Sequence, residues 1–228
     1  MPSLSPLSWK PLLSQPERHW RAGYSAMTLA QCWESAADGL PPEVAALLQT
    51  ARDPVFADSR LLLAIPEYCV PLPGGSRATQ TDLFALVRGG GGLGVLAIEG
   101  KVDEELGPTV AAKELEGAGD RLDYLHELLE LQRSDTRSLR YQLLHRTAAA
   151  LLLAREFAAG AAAMIVHSFS PTRMWYKDFE AFVAALGEHP DPQRLIGVGP
   201  RGGTPLFLGW VAGEQRFREP LAVGTDRG

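Results

Sequence analysis

The chain has 228 residues, of which 46% are hydrophobic and 21% charged, with a formal net charge of −5. That is enough for one sizeable α/β domain, and no uncharged apolar run approaches the roughly 18 residues that a membrane span needs. The acidic balance speaks against a surface coated for nucleic acid, which ordinarily shows a basic stripe. The segment from Met1 to Leu13 lacks a charged-then-apolar layout with a small-residue cleavage site, so it predicts no signal peptide. Cys32 and Cys69 stand far apart and outside any CxxC pattern. They predict buried thiols in a reducing cytoplasm rather than a disulfide.

In chain order, residues 1–24 are rich in proline and tryptophan and predict an N-terminal arm on a single domain spanning 1–228. Ser25 is an expected N-cap for a helix over 26–36, stopped by Asp38-Gly39, and Pro41-Pro42 opens a second helix over 43–50. Three strand-like runs follow at 60–70, 82–88 and 93–102. The last two flank Gly89-Gly90-Gly91-Gly92, a hairpin signal because glycine accepts positive φ without steric cost. A polar helical region (109–131), a long helix (138–158), a buried strand (162–169), a short helix (177–186) and a last strand (205–211) complete the reading. A long helical crossover between strands implies a parallel neighbour. The class is therefore α/β, with a mixed sheet flanked by helices.

Glu99 and Lys101 are two residues apart in the third strand, hence on one face. A turn centred on Gly90-Gly91 puts Asp82 opposite Glu99, and opposed residues have Cβ atoms about 4.5–5.5 Å apart. Two facing carboxylates repel unless a cation lies between them. A hard divalent ion, Mg²⁺ or Mn²⁺, suits one or two carboxylates plus water and phosphate oxygens. Asp82 and Glu99 are the expected ligands, the Gly100 carbonyl a further one, and Lys101 the group that orients or deprotonates the attacking water. Lys101 is one of only four lysines in the chain.

Asp82, a spacer of sixteen residues, then Glu99-x-Lys101 resembles the PD-(D/E)XK nuclease superfamily. Thr81 stands where the eponymous proline would be. In the following long helix, Gln142 and Arg146 share a face at i, i+4 and resemble that superfamily's Gln-x-x-x-Lys/Arg/Tyr signature. From about Trp20 to Trp210 the chain is also similar to an uncharacterised bacterial family with a restriction-endonuclease-like fold. The resemblance implies a three-strand meander, a crossover helix and a parallel strand, with a further acid contributed by Glu34 on the first helix or Glu67 in the first strand. It implies a metal-dependent nuclease acting on nucleic acid, DNA in preference to RNA, and leaves room for a homodimer.

Plainer readings stand beside these. Glu-x-Lys is common on solvated strand faces, and an ion pair at a strand end would use the same residues. Gln142 and Arg146 fit an ordinary amphipathic face, Asp103 and Glu104 fit solvated positions, and His167 fits a strand-end histidine. His145, three residues after Gln142, is a candidate neighbour of the site. A non-catalytic module that kept the fold, or a small-molecule metallohydrolase, are the alternative functions. The cluster Arg133, Arg137, Arg140 and Arg146 is the one basic feature that would favour nucleic acid.

Overall fold

The computed structural model describes residues 5–36 and 39–221; Asp38, read above as a helix stop, lies outside them. A 3₁₀ turn (Pro6–Leu12) and helix α1 (Pro16–His19) lead into α2 (Ser25–Ser35) and α3 (Pro42–Gln49). Ser25 is the first helical residue of α2 rather than its cap, and its side chain caps nothing. The end is capped from a distance: the Glu104 carboxylate accepts the Ser25 amide at 2.6 Å and the Val102 amide at 3.0 Å. An anion at a helix N-terminus is favoured by the unsatisfied N–H groups there, so Glu104 is not the solvated residue its sequence position suggested.

Strands β1 (Arg60–Val70), β2 (Thr79–Gly89) and β3 (Gly92–Lys101) form an antiparallel meander. Arg88 pairs with Leu93 and Leu83 with Ile98, the register expected from the glycine turn. The reason for the glycines differs from the expected one. Only Gly92 of the four has positive φ. A Cβ at Gly91 would meet Pro54 Cγ and the Val55 amide at 2.9 Å, and one at Gly89 would run into the Val55 carbonyl. Gly89 and Gly91 are bare because residues 54–55 pack on them.

The polar helical stretch splits into α4 (Val110–Leu115) and α5 (Gly119–Leu129), broken at Gly117 with φ 85°. Then come α6 (Arg133–Thr136), α7 (Tyr141–Glu156), strand β4 (Ala161–Ser168), α8 (Tyr176–Ala185), β5 (Ile196–Arg201) and β6 (Thr204–Ala212). The sheet order is β1-β2-β3-β4-β6-β5, with β4 parallel to β3 and to β6 and the other pairs antiparallel. Strand β5 is absent from the sequence reading: Gly197, Gly199 and Pro200 hide its alternation, and the pairing shifts between Gly197 and Pro200.

The sheet separates two apolar layers. Phe84, Leu86, Val95, Ala97 and Met164 face α5, α7 and α8, while Leu83, Ala85, Leu96, Ile98 and Ile165 face α2 and α3. Helix α7 presents Ala148, Ala149, Ala150 and Leu151, all fully buried, and its small residues let it lie close on the strands. Fully burying each large aliphatic side chain is worth about 1.5–3 kcal/mol, and this sets the sheet's register against α7. Continuing the alternation of Val95 and Ala97 puts Glu99 and Lys101 on the α7 face, at the C-terminal end of β3. No helix among the described residues is long and apolar enough to cross a membrane.

Candidate active site at the end of the meander

Glu99 is 1% exposed and its carboxylate collects three donors. Oε1 accepts from Gln142 Nε2 at 2.6 Å and pairs with Lys101 Nζ at 2.7 Å, while Oε2 accepts from Arg146 Nε. Gln142 and Arg146 reach it from one face of α7, as their spacing implied. Arg146 continues to Thr79 Oγ1 at 2.9 Å and lies 3.5 Å from Asp82 Oδ1. Thr79 Oγ1 also bonds His145 Nδ1 at 2.7 Å. Thr79 carries no sequence signal; it enters because β2 begins three residues before Asp82.

Asp82 is adjacent, its Oδ2 accepting the Gly100 amide at 2.9 Å. Gly100 thus holds Asp82 through its backbone N–H. The position is also tight: a Cβ there would lie 3.1 Å from Leu29 and 3.5 Å from Asp82 Oδ2. On the other side of Asp82 is Glu67. The β1–β2 pairing brackets the two residues, with Pro66 opposite Leu83 and Tyr68 opposite Thr81. Glu67 has φ 53° within a strand, a conformation that costs a non-glycine residue on the order of 1–3 kcal/mol and recurs where a site dictates the backbone. Among the described residues nothing hydrogen-bonds the Glu67 carboxylate.

Three acids therefore meet, and their ionisation diverges. Burial, then the Glu99 charge, pushes Asp82 up to about 7. Burial, then Asp82, pushes Glu67 up to about 9. Burial would raise Glu99 as well, but Arg146 and Lys101 overcome it and hold Glu99 down at about 2. Burial works against the Lys101 ammonium, yet Glu99 and Asp82 raise its pKa and keep it charged. His145 is driven well below its ordinary value by burial and by Arg146, so it is neutral.

Glu34 is not part of this group. Its Oε1 accepts the Trp9 indole N–H at 2.7 Å, and it does not line the cleft. Its place on the helix was inferred correctly, but it serves the N-terminal segment. The basic cluster is not a free stripe either. Arg133 and Arg137 pair with Glu114 and Asp123, and Arg140 pairs with Asp178. Cys69 is exposed, not buried.

The acids sit in a cleft of about 1120 Å³ between the meander, α1, α4 and the 72–80 loop. Its walls carry seven lysine and arginine side chains against six carboxylates, so it is slightly positive in a chain of net charge −5. Arg18, Arg21, Arg77 and Arg121 are among its lining residues, and Arg121 donates to the Leu72 and Arg77 carbonyls. Sequence spacing gave no sign of these four, because they converge from segments about a hundred residues apart.

A family model described as "Domain of unknown function (DUF6946)" matches residues 2–215. The chain belongs to that family. The match includes all three acids, Lys101 and the α7 pair, so the whole site lies within the family domain. Comparisons with curated proteins and with solved structures gave no match.

Glu67 and Asp82 are the two residues of this cluster that could hold a hard divalent cation. Burial raises both the Glu67 and the Asp82 pKa, with the Asp82 charge adding to the first and the Glu99 charge to the second. Glu67 has both oxygens free of protein donors among the described residues. A bound cation favours their charged forms and removes that repulsion.

Proposed function

We propose that the chain is a metal-dependent nuclease of the PD-(D/E)XK type that hydrolyses phosphodiester bonds, with DNA favoured over RNA. The observation that carries this reading is the meeting of Glu67, Asp82, Glu99 and Lys101 at one end of three adjacent strands, on the floor of a cleft flanked by arginines. The meander followed by a helical crossover to a parallel strand supports it, as do Gln142 and Arg146 reaching Glu99 from that crossover.

Glu67 and Asp82 would hold Mg²⁺ or Mn²⁺, with Glu99 beside them. A bound ion of this kind supplies Lewis-acid stabilisation of phosphoryl oxygens and lowers the pKa of bound water. Lys101 acts as an ammonium, because its pKa is raised. It therefore orients water or a phosphate oxygen and stabilises negative charge, and does not serve as the base. Gln142 and Arg146 hold Glu99 in a fixed rotamer. Neutral His145 supports Thr79, which in turn receives Arg146. Arg18, Arg21 and Arg77 are placed to receive the phosphate backbone.

One observation favours a second reading. The Arg146 guanidinium already lies between Glu99 and Asp82, and with Lys101 it balances both carboxylates without an ion. A non-catalytic nucleic-acid-binding or assembly module would need nothing more. Purified protein incubated with single-stranded, duplex and RNA substrates at low salt separates the two. The nuclease reading expects cleavage with Mg²⁺ or Mn²⁺ that chelator stops and that Lys101→Ala loses. Binding without cleavage of any substrate supports the module.

A further inference from the structure

A second group of ligand-type side chains lies on the other face of the sheet. Cys32 comes from the middle of α2, Glu43 from the first turn of α3 and His167 from near the end of β4. Glu43 Oε1 is 3.3 Å from Cys32 Sγ and 3.0 Å from His167 Nε2, and one ligand atom from each residue lies within 4.8 Å of the others. His167 is fully buried and its ring stacks on Phe169, with centroids 4.5 Å apart and planes 20° from parallel. Gly213 makes room for the pair, since a Cβ there would come within 2.8 Å of His167 Nε2. Cys32 and Glu43 also line a separate cavity of about 310 Å³, together with Glu214, Arg216 and Phe217.

We propose that Cys32, Glu43 and His167 form a three-ligand site for a zinc-class transition metal, with a fourth position facing this cavity. One sulfur, one imidazole nitrogen and one carboxylate oxygen make a ligand set for Zn²⁺, and thiolate with imidazole disfavours Mg²⁺ and Ca²⁺. Bond lengths of about 2.0–2.3 Å put the ligand atoms of a tetrahedral site about 3.3–3.6 Å apart. The two Glu43 separations, 3.0 and 3.3 Å, need shifts of only a few tenths of an ångström, and the Cys32–His167 pair, within 4.8 Å, has to close by up to about 1.3 Å. His167 is already turned with Nε2 toward the other two, and its stacking on Phe169 holds it there. Binding replaces the thiol proton, which leaves to solvent, by a metal–sulfur bond. Glu214 on the cavity wall, or water, completes the coordination. The site is separate from the carboxylate cluster and does not depend on the nuclease reading.

The test uses the full chain, stripped with chelator and titrated with Co²⁺ as a spectroscopic substitute for Zn²⁺. The expected result is a saturable thiolate-to-cobalt charge-transfer band, bleached by Zn²⁺; any Co²⁺ held by the carboxylate cluster gives no such band. Cys32→Ser should lose the band, whereas Cys69→Ser should keep it. Glu43→Gln, which retains the hydrogen-bonding shape, should weaken binding at least about tenfold with unchanged circular dichroism. Asp82→Asn should leave the band intact, so failure of the nuclease reading does not touch this one. A folded wild-type protein with no charge-transfer band overturns the proposal, as does a band that persists in Cys32→Ser.

Discussion

The side chains of the cleft divide into those already balanced and those left strained, and each group responds differently to pH and mutation. Asp82 and Glu67 have folded pKa values above their unfolded ones, at about 7 and 9. Raised acid pKa values stabilise the fold fully below about pH 4, and that contribution is lost as pH rises through the folded values. Below about pH 6.5 the lowered pKa values of His145 and His167 oppose this decline, so stability should fall with pH chiefly between roughly pH 6.5 and 9, by on the order of a few kcal/mol. Mg²⁺ or Mn²⁺ should flatten the decline; thermal melts across that range, with and without the ion, check this. Asp82→Asn should leave stability unchanged or improved near pH 8, because it removes a repulsive charge while keeping an acceptor for the Gly100 amide. Glu99 is the opposite case. Replacing it with Gln leaves Arg146 and Lys101 with Asp82 as their remaining acid partner, and breaking a buried ion pair in this way costs about 3–5 kcal/mol. A melting temperature for Glu99→Gln equal to wild type would show that the network contributes little. A strongly lowered melting temperature for Asp82→Asn would turn the site into a structural ion pair.

At the level of elements, the meander was legible because its signals are local. Alternation of apolar residues fixed the faces of β2 and β3, and the glycine run fixed their register, so Asp82 and Glu99 could be brought together from spacing alone. What escaped was set by distant chain. Ser25 reads as a cap only until Glu104, 79 residues away, takes the α2 terminus. Glu34 borders the apolar stripe of α2 as expected, but its partner is Trp9 in an irregular segment with no period to read. Strand β5 fails the alternation test at its own glycines and proline. Arg146 was legible as a residue of the α7 face, yet not as the cation between the carboxylates, because that depends on how closely α7 lies on the sheet. The hairpin supplies its own test. Gly91→Ala should force the 54–55 backbone away from the turn, a clash worth about 1–3 kcal/mol, even though the φ at this position is ordinary for alanine. Chemical denaturation measures it, and a variant as stable as wild type would mean the 54–55 segment yields freely.

Across the whole molecule, charge is segregated. The chain is acidic overall, but the cleft is slightly positive: the Arg133–Arg137–Arg140 cluster pairs with neighbouring acids, while Arg18, Arg21 and Arg77 line the cleft. Under the nuclease reading, the phosphate backbone would follow these three side chains down to the carboxylates. Phosphate contacts release counterions, so affinity should fall with salt by a slope of about 0.7–0.9 per contact, single strands at the lower end. Replacing Arg18 and Arg21 together with alanine should weaken binding for every sequence alike and lower that slope by about 1–2. Fluorescence anisotropy over a salt series, with the metal held constant, reads both quantities. The same double variant should leave the single-turnover rate at saturating substrate nearly unchanged, because neither arginine touches Glu99, Asp82 or Lys101 among the described contacts. By contrast Lys101→Ala, deep in the cleft, should hardly alter the salt slope while losing most of the rate. If the arginine pair changes the rate and leaves the slope alone, the backbone does not take this route. The binding face would then have to be sought elsewhere on the molecule.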